Sequence, residues 1–238
     1  MADLFGSAPI ALRARITDAT RVKDAVVPAG TARFYITADV ISLIRAPAGV
    51  PPRITYLVDI PVDSRGRPPR LKKTEVLLAA LPVAGRPGEI QLAARDAQLL
   101  WTAPLEAQAR AVIAAVVARD AAPVVTGVGS AFHVAGSIPG ESETQVFLTT
   151  TNGAPVSLSI LRRPGEAPRW ALALGEIVDE AAGPPGRDTL AWYRLACFLP
   201  RTMPDAAIAE LAPADAAVAR EDYAFVIAEL GVCARSRA

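Results

Sequence analysis

Five segments of strand-like pattern fill the first hundred residues, and clusters of proline and glycine separate them. No other feature constrains the fold as much. "IALRARITDATRV" (10–22) places Ile10, Leu12, Ala14 and Ile16 on one face and Arg13 and Arg15 on the other. That period of two marks a half-buried strand. "ARFYITADVISLIRA" (32–46) is rich in β-branched and aromatic residues, which suit a pleated surface. "RITYLVDIPV" (53–62), "EVLLAALPV" (75–83) and "EIQLAARDAQLL" (89–100) follow. Between them lie "APAGVPP", "DSRGRPPRLKK" and "AGRPG", each a turn cluster. Strands at this spacing, with no helix between them, predict a small antiparallel sheet or barrel.

A helix follows in "TAPLEAQARAVIAAVVA". Pro104 sits in the first turn, where its missing N–H costs nothing, and Thr102 or Ala103 caps it. Leu105, Ala109, Val112, Ile113 and Val116 form its apolar stripe. The second half returns to strand pattern in "PVVTGVGSAFHVAG" (123–136), in the hairpin "TQVFLTTTNGAPVSLSILRR" (144–163) and in "RWALALGEIV" (169–178). Asn152-Gly153 predicts a type I′ turn. Two helices close the chain, 187–199 with Asp188 as cap and 215–230 with Asp215 as cap and Gly231 as stop. The fold class read from this order is α+β. Residues 1–102 form a β-rich subdomain, 103–121 a linking helix, and 122–238 an α+β subdomain with a C-terminal helix pair.

With 52% hydrophobic and 21% charged residues, the chain is a globular one rather than a disordered one. A net charge of +1 predicts no bulk attraction to nucleic acid or anionic membrane. No apolar run approaches the roughly 18 residues of a spanning helix. Cys197 and Cys233 are the two cysteines, and each falls at the end of a predicted helix. They are either free thiols in a cytosolic protein or one disulfide in an exported one. The start "MADLFGSAP" has no signal-peptide pattern, but it reads as a mature leader from which a signal has been removed. A periplasmic home is favoured on this reading, with the cytoplasm as the alternative.

His133, the sole histidine, stands in "GSAFHVAGSIPGESETQ". As a general base it would need Ser130, Ser137 or Ser142 beside it. No nucleophile elbow is present, and the alternation makes His133 a strand residue facing away from Phe132 and Val134. Glu141 and Glu143 lie on one side of an extended segment, about 7 Å apart, and read as a solvated turn. Glu176, Asp179 and Glu180 read the same way. Arg65, Arg67, Arg70, Lys72 and Lys73 make a basic loop without interleaved aromatics, expected to keep a sheet edge from pairing. Arg162, Arg163, Arg169 and Trp170 surround a Pro-Gly turn, and they are the best candidates for a recognition corner. No phosphate loop, dinucleotide fingerprint, zinc motif or calcium loop is present, so no cofactor and no metal is expected.

Residues 30–95 resemble a netrin-like or other oligonucleotide/oligosaccharide-binding-type β-barrel. The resemblance lies in "FYITADVISLIRAPAG", "RITYLVDIPV", the basic linker and "KTEVLLAALPV". It implies a small barrel in place of a flat sheet. Protease-inhibiting members of that group act through an N-terminal cysteine, and this chain has none before Cys197. The function expected is a non-catalytic binding or assembly protein of a bacterial cell envelope, whose partner is another protein. The alternative is a hydrolase or isomerase with its site near His133 and Glu141.

Overall fold

The computed structural model describes residues 1–175 and 183–233, in two compact units, Met1–Ala114 and the part that begins at Ala115. The expected strand tail beyond residue 175, with Glu176, Asp179 and Glu180, lies outside the described residues. Both units combine helices with one antiparallel sheet, so the chain is α+β. No helix among the described residues is long and apolar enough to cross a membrane.

The first unit opens with a single turn, α1 (Ala2–Phe5), and then β1 (Ile10–Arg21), β2 (Thr31–Arg45), β3 (Arg53–Pro61) and β4 (Glu75–Pro82). Two short strands follow, β5 (Ile90–Leu92) and β6 (Gln98–Leu100). Where one strand was expected over 89–100, the chain turns at Ala94–Ala97, and both pieces pair with β4. The sheet order is β3-β2-β1-β4-β5. Leu12, Ala14, Ile16, Phe34, Ile36, Ile54, Tyr56 and Leu78 build the core on one face, as period-two patterning requires. β4 is buried from Val76 to Ala80, which explains its unbroken apolar run.

The opposite face carries cross-strand ion pairs. Glu75 on β4 accepts from Arg13 and from Arg15 on β1, Arg33 pairs with Asp59, and Arg53 with Asp39. Each carboxylate is held below its usual range, chiefly by hydrogen bonds from its arginine partners. Three register shifts between β1 and β2 coil the sheet. β3 and β5 approach closely enough for Thr55 N to donate to Gly88 O at 2.8 Å. One isolated bridge there does not complete a ladder, so among the described residues the sheet stays open and the barrel expectation is corrected.

Helix α2 (Ala103–Val117) begins where the Thr102 hydroxyl accepts from Leu105 N at 3.3 Å. Ala109, Val112 and Ile113 are its buried residues. Glu106 in its first turn accepts from Trp101 Nε1 at 2.7 Å, and Arg110 reaches Ser42 on β2 at 2.8 Å. The Arg13 guanidinium lies 3.5 Å from the centre of the Trp101 ring.

The second unit has the sheet order β10-β9-β8-β7, from β7 (Val125–Ala135), β8 (Ser142–Thr150), β9 (Val156–Arg162) and β10 (Arg169–Ala173). The β8–β9 hairpin forms, but with five residues in its loop and positive φ at Gly153 alone. The type I′ turn is therefore corrected: Asn152 Oδ1 accepts from Ala154 N at 3.2 Å and closes a local turn instead. Helix α3 (Leu190–Ala196) is shorter than expected. Asp188 takes positive φ, outside the helix, and Thr189 caps it by accepting from Trp192 N at 3.2 Å. After a 3-10 turn (Asp205–Ile208) comes α4 (Pro213–Leu230), with Pro213 in its first turn and Gly231 ending it at φ 71°. Asp215 lies within the first turn rather than at the cap.

Burial pushes the phenols of Tyr56 and Tyr223 well above the usual tyrosine value. Both hydroxyls donate within the protein, Tyr56 to Gln98 Oε1 and Tyr223 to Pro200 O, each at 2.7 Å. The folded state keeps protons that the unfolded chain releases near about pH 10. Stability from this source is therefore complete below that value and falls as pH rises past it. An alkaline ultraviolet titration is expected to show these two tyrosines ionising only when the chain unfolds. Prompt ionisation of all four would refute the burial argument.

Candidate functional site

The strand pairing decides where the candidate residues point. On β7, Phe132 and Val134 face outward, while Ala131 and His133 face the helices. His133 sits opposite Thr144 on β8, and its Nδ1 is 2.8 Å from the Thr144 hydroxyl. That hydroxyl donates to Asp222 Oδ2 on α4, and Asp222 Oδ1 accepts from Arg162 Nε on β9 at 2.6 Å. A second nitrogen of Arg162 reaches Glu221 at 3.4 Å. Thr144 and Asp222 are fully buried.

This chain of bonds fixes the protons. An ionised carboxylate only accepts, so the single Thr144 proton goes to Asp222. The Thr144 oxygen then accepts, and Nδ1 of His133 carries the hydrogen. The network joins β7, β8, β9 and α4, and its buried carboxylate is paired and hydrogen-bonded as burial demands. Two sequence candidates, His133 and Arg162, thus meet through residues the sequence reading left out. Asp222 did leave a signal. It lies four residues before Val226 and three after Ala219, on the apolar stripe of α4, where a carboxylate requires a partner.

The other acid–base candidates do not join His133. Glu143 is on the opposite face of the sheet, where its Oε1 accepts from Gln145 at 2.9 Å and from Ser159 at 3.1 Å. Glu141 closes the β7–β8 turn, its main-chain oxygen accepting from Gly136 N at 2.7 Å. Ser130 is paired with Phe147 and shares the outward face.

The Arg162–Trp170 segment divides between faces. Arg162 turns inward to Asp222, and Trp170 is 6% exposed within the core of the second unit. Arg163 and Arg169 stay exposed, with Arg169 3.1 Å from Glu166. In the first unit the basic loop curls around Asp63, which accepts from the main chain of Arg65 and Arg67 and from Arg67 Nε. Lys72 pairs with Asp18 at 2.6 Å, and Lys73 N donates to Ile16 O. Arg70 is exposed. Cys197, at the end of α3, and Cys233, just past α4, are joined in a disulfide with Cα atoms 5.1 Å apart.

One further surface has no counterpart among the sequence candidates. Phe132 (55% exposed), Val134 (46%), Phe147 (43%) and Leu161 (43%) share the outward face of the four-stranded sheet. Glu143 and Gln145 of β8 lie between them, with buried Ser157 and Ser159 on β9 beside these. The signal was a break in alternation: Phe147 and Leu161 stand in the polar phase of strands whose opposite phase already holds Val146, Leu148, Leu158 and Ile160. Compared with known proteins, the chain matches no family model and no curated sequence.

Proposed function

We propose that this chain is a non-catalytic binding or assembly protein of the cell envelope, and that it contacts another polypeptide through the outward face of its second sheet. The observation that carries the reading is the exposure of Phe132, Val134, Phe147 and Leu161 on one face of a sheet whose other face holds the core. Scattered apolar residues need no explanation, but a group of large ones on a single face marks an interaction surface. The disulfide supports an oxidising compartment such as the periplasm. The geometry around His133 supports the same reading. Its Nδ1 is spent on a buried strut, and Glu143 and Ser130 face the other way.

A photo-crosslinking residue at Phe147, in living cells of the native host, tests this. Discrete polypeptide adducts are expected at Phe147 and none at Glu210, an exposed residue of the turn that precedes α4. No adduct at Phe147, or equal adducts at both positions, would sink the proposal.

A further inference from the structure

We infer that the partner polypeptide is a second copy of the chain, joined strand to strand at the edge of this face through an antiparallel pairing of β7 with β7. The inference rests on the binding reading above and names its partner.

β7 is an edge strand of its sheet. Gly136 N donates to Glu141 O on one side of its ladder with β8, and Thr151 N to Val124 O at the far end. Alternation along an antiparallel ladder then turns the backbone groups of Phe132 and Val134 toward β8. Those of Ala131, His133 and Ala135 turn away from β8, toward the side where no other strand pairs with β7 among the described residues. Both register shifts of β7 fall before Ser130, so the stretch from Ser130 to Ala135 is regular.

Edge strands are ordinarily blunted by charge, proline or short length. β7 has none of these: its eleven residues include no Asp, Glu, Lys, Arg or Pro. The other sheet edges are protected. β3 carries Arg53 and Asp59 and ends at Pro61, β5 has three residues, and β10 has five and begins with Arg169. A long neutral edge left bare would template aggregation, so a partner that covers it is the physical resolution.

Self-complementarity selects a second copy. An antiparallel pairing with its two-fold at His133 sets Phe132 across from Val134 of the second copy, and the reverse. These fall at the closely spaced, non-hydrogen-bonded positions, where an aromatic and a β-branched side chain pack well. Ala131 meets Ala135 of the second copy, so no bulk collides there. His133 on the two-fold meets His133 of the second copy, and β7 brings no Asp, Glu, Lys or Arg to the seam. The two sheets merge, and Phe147 lies one strand in from it on the same face.

Sedimentation equilibrium from micromolar to about 100 µM tests the pairing on the full chain. The wild type is expected to dimerise. Val134→Lys should weaken the dimer by about tenfold or more, because a lysine would stand against Phe132 of the second copy. Leu100→Lys, an exposed position on β6 in the first unit, should change it by less than about twofold. Ala135→Pro provides a second variant: it removes an N–H that faces the edge and no bond of the β7–β8 ladder, and it should abolish dimers. A wild type that remains monomeric, or a Val134→Lys variant that dimerises as well as wild type, would overturn the inference. Monomers that still give adducts with other proteins at Phe147 would overturn self-pairing alone. Dimers whose adducts contain only this chain would support it.

Discussion

Replacing Asp222 with alanine is expected to destabilise the second unit by about 3–5 kcal/mol, the cost typical of removing one member of a buried ion pair. The carboxylate is fully buried and receives the Thr144 hydroxyl on one oxygen and Arg162 Nε on the other. Its loss leaves the Thr144 hydroxyl without an acceptor in the core, and leaves the half-buried Arg162 with only the distant Glu221. Both penalties are desolvation costs, which outweigh the modest net value of the hydrogen bonds themselves. Hydrogen exchange read by mass spectrometry is the suitable measurement. Protection should fall in β8, β9 and α4 and stay unchanged in β1–β4. A double-mutant cycle with Arg162→Leu isolates the pair, since removing both charges together should recover part of the loss. His133→Ala should cost far less, because His133 is half-exposed at the end of the network and its removal strands no charge. A loss below about 1 kcal/mol for Asp222→Ala would show that the network adds nothing beyond an ordinary surface contact.

The same residues mark what was legible in the sequence. Alternation in Ile10–Ile16 and Val156–Ile160 identified the core faces, since side-chain direction in a strand is a local property. The stop of α4 at Gly231 was equally local. Local rules failed where a second element intervenes. Pairing of β5 and β6 with the same strand broke the expected strand over 89–100. Sheet closure depends on whether β3 and β5 complete a ladder, which no single strand encodes. At the candidate site, both ends of the network, His133 and Arg162, stand out in the sequence, but their connection does not. Residues 144 and 222 are far apart in sequence, and only the docking of α4 brings them within bonding distance. The outward apolar face escaped notice because each strand alone offers one or two misplaced residues, and the patch exists only after pairing.

Breaking the Cys197–Cys233 bridge is expected to lower stability by about 3–4 kcal/mol, and to lower the melting temperature of the second unit by about 10–20 °C. The cysteines are 36 positions apart, and a loop of that length carries most of the entropy a single cross-link removes from the unfolded chain. The native state loses little, because other bonds hold the same helix ends together. Trp192 Nε1 donates to Leu230 O at 3.0 Å, Arg201 to Gly231 O at 3.2 Å, and Tyr223 to Pro200 O. The effect should therefore appear as a change in stability with the fold retained, not as a change in structure. A Cys197→Ala/Cys233→Ala variant, compared with wild type by calorimetry under oxidising conditions, measures it; wild type with reductant should melt with the variant. Intact mass with and without alkylation, on protein from its native host, tells whether the bridge exists in the cell. Thiols that alkylate only after reduction would support export and keep the envelope reading. Thiols that alkylate at once would remove the main support for that compartment. An unchanged melting temperature in the variant would mean that the unfolded chain is already compact around these helices, so that the cross-link constrains almost nothing.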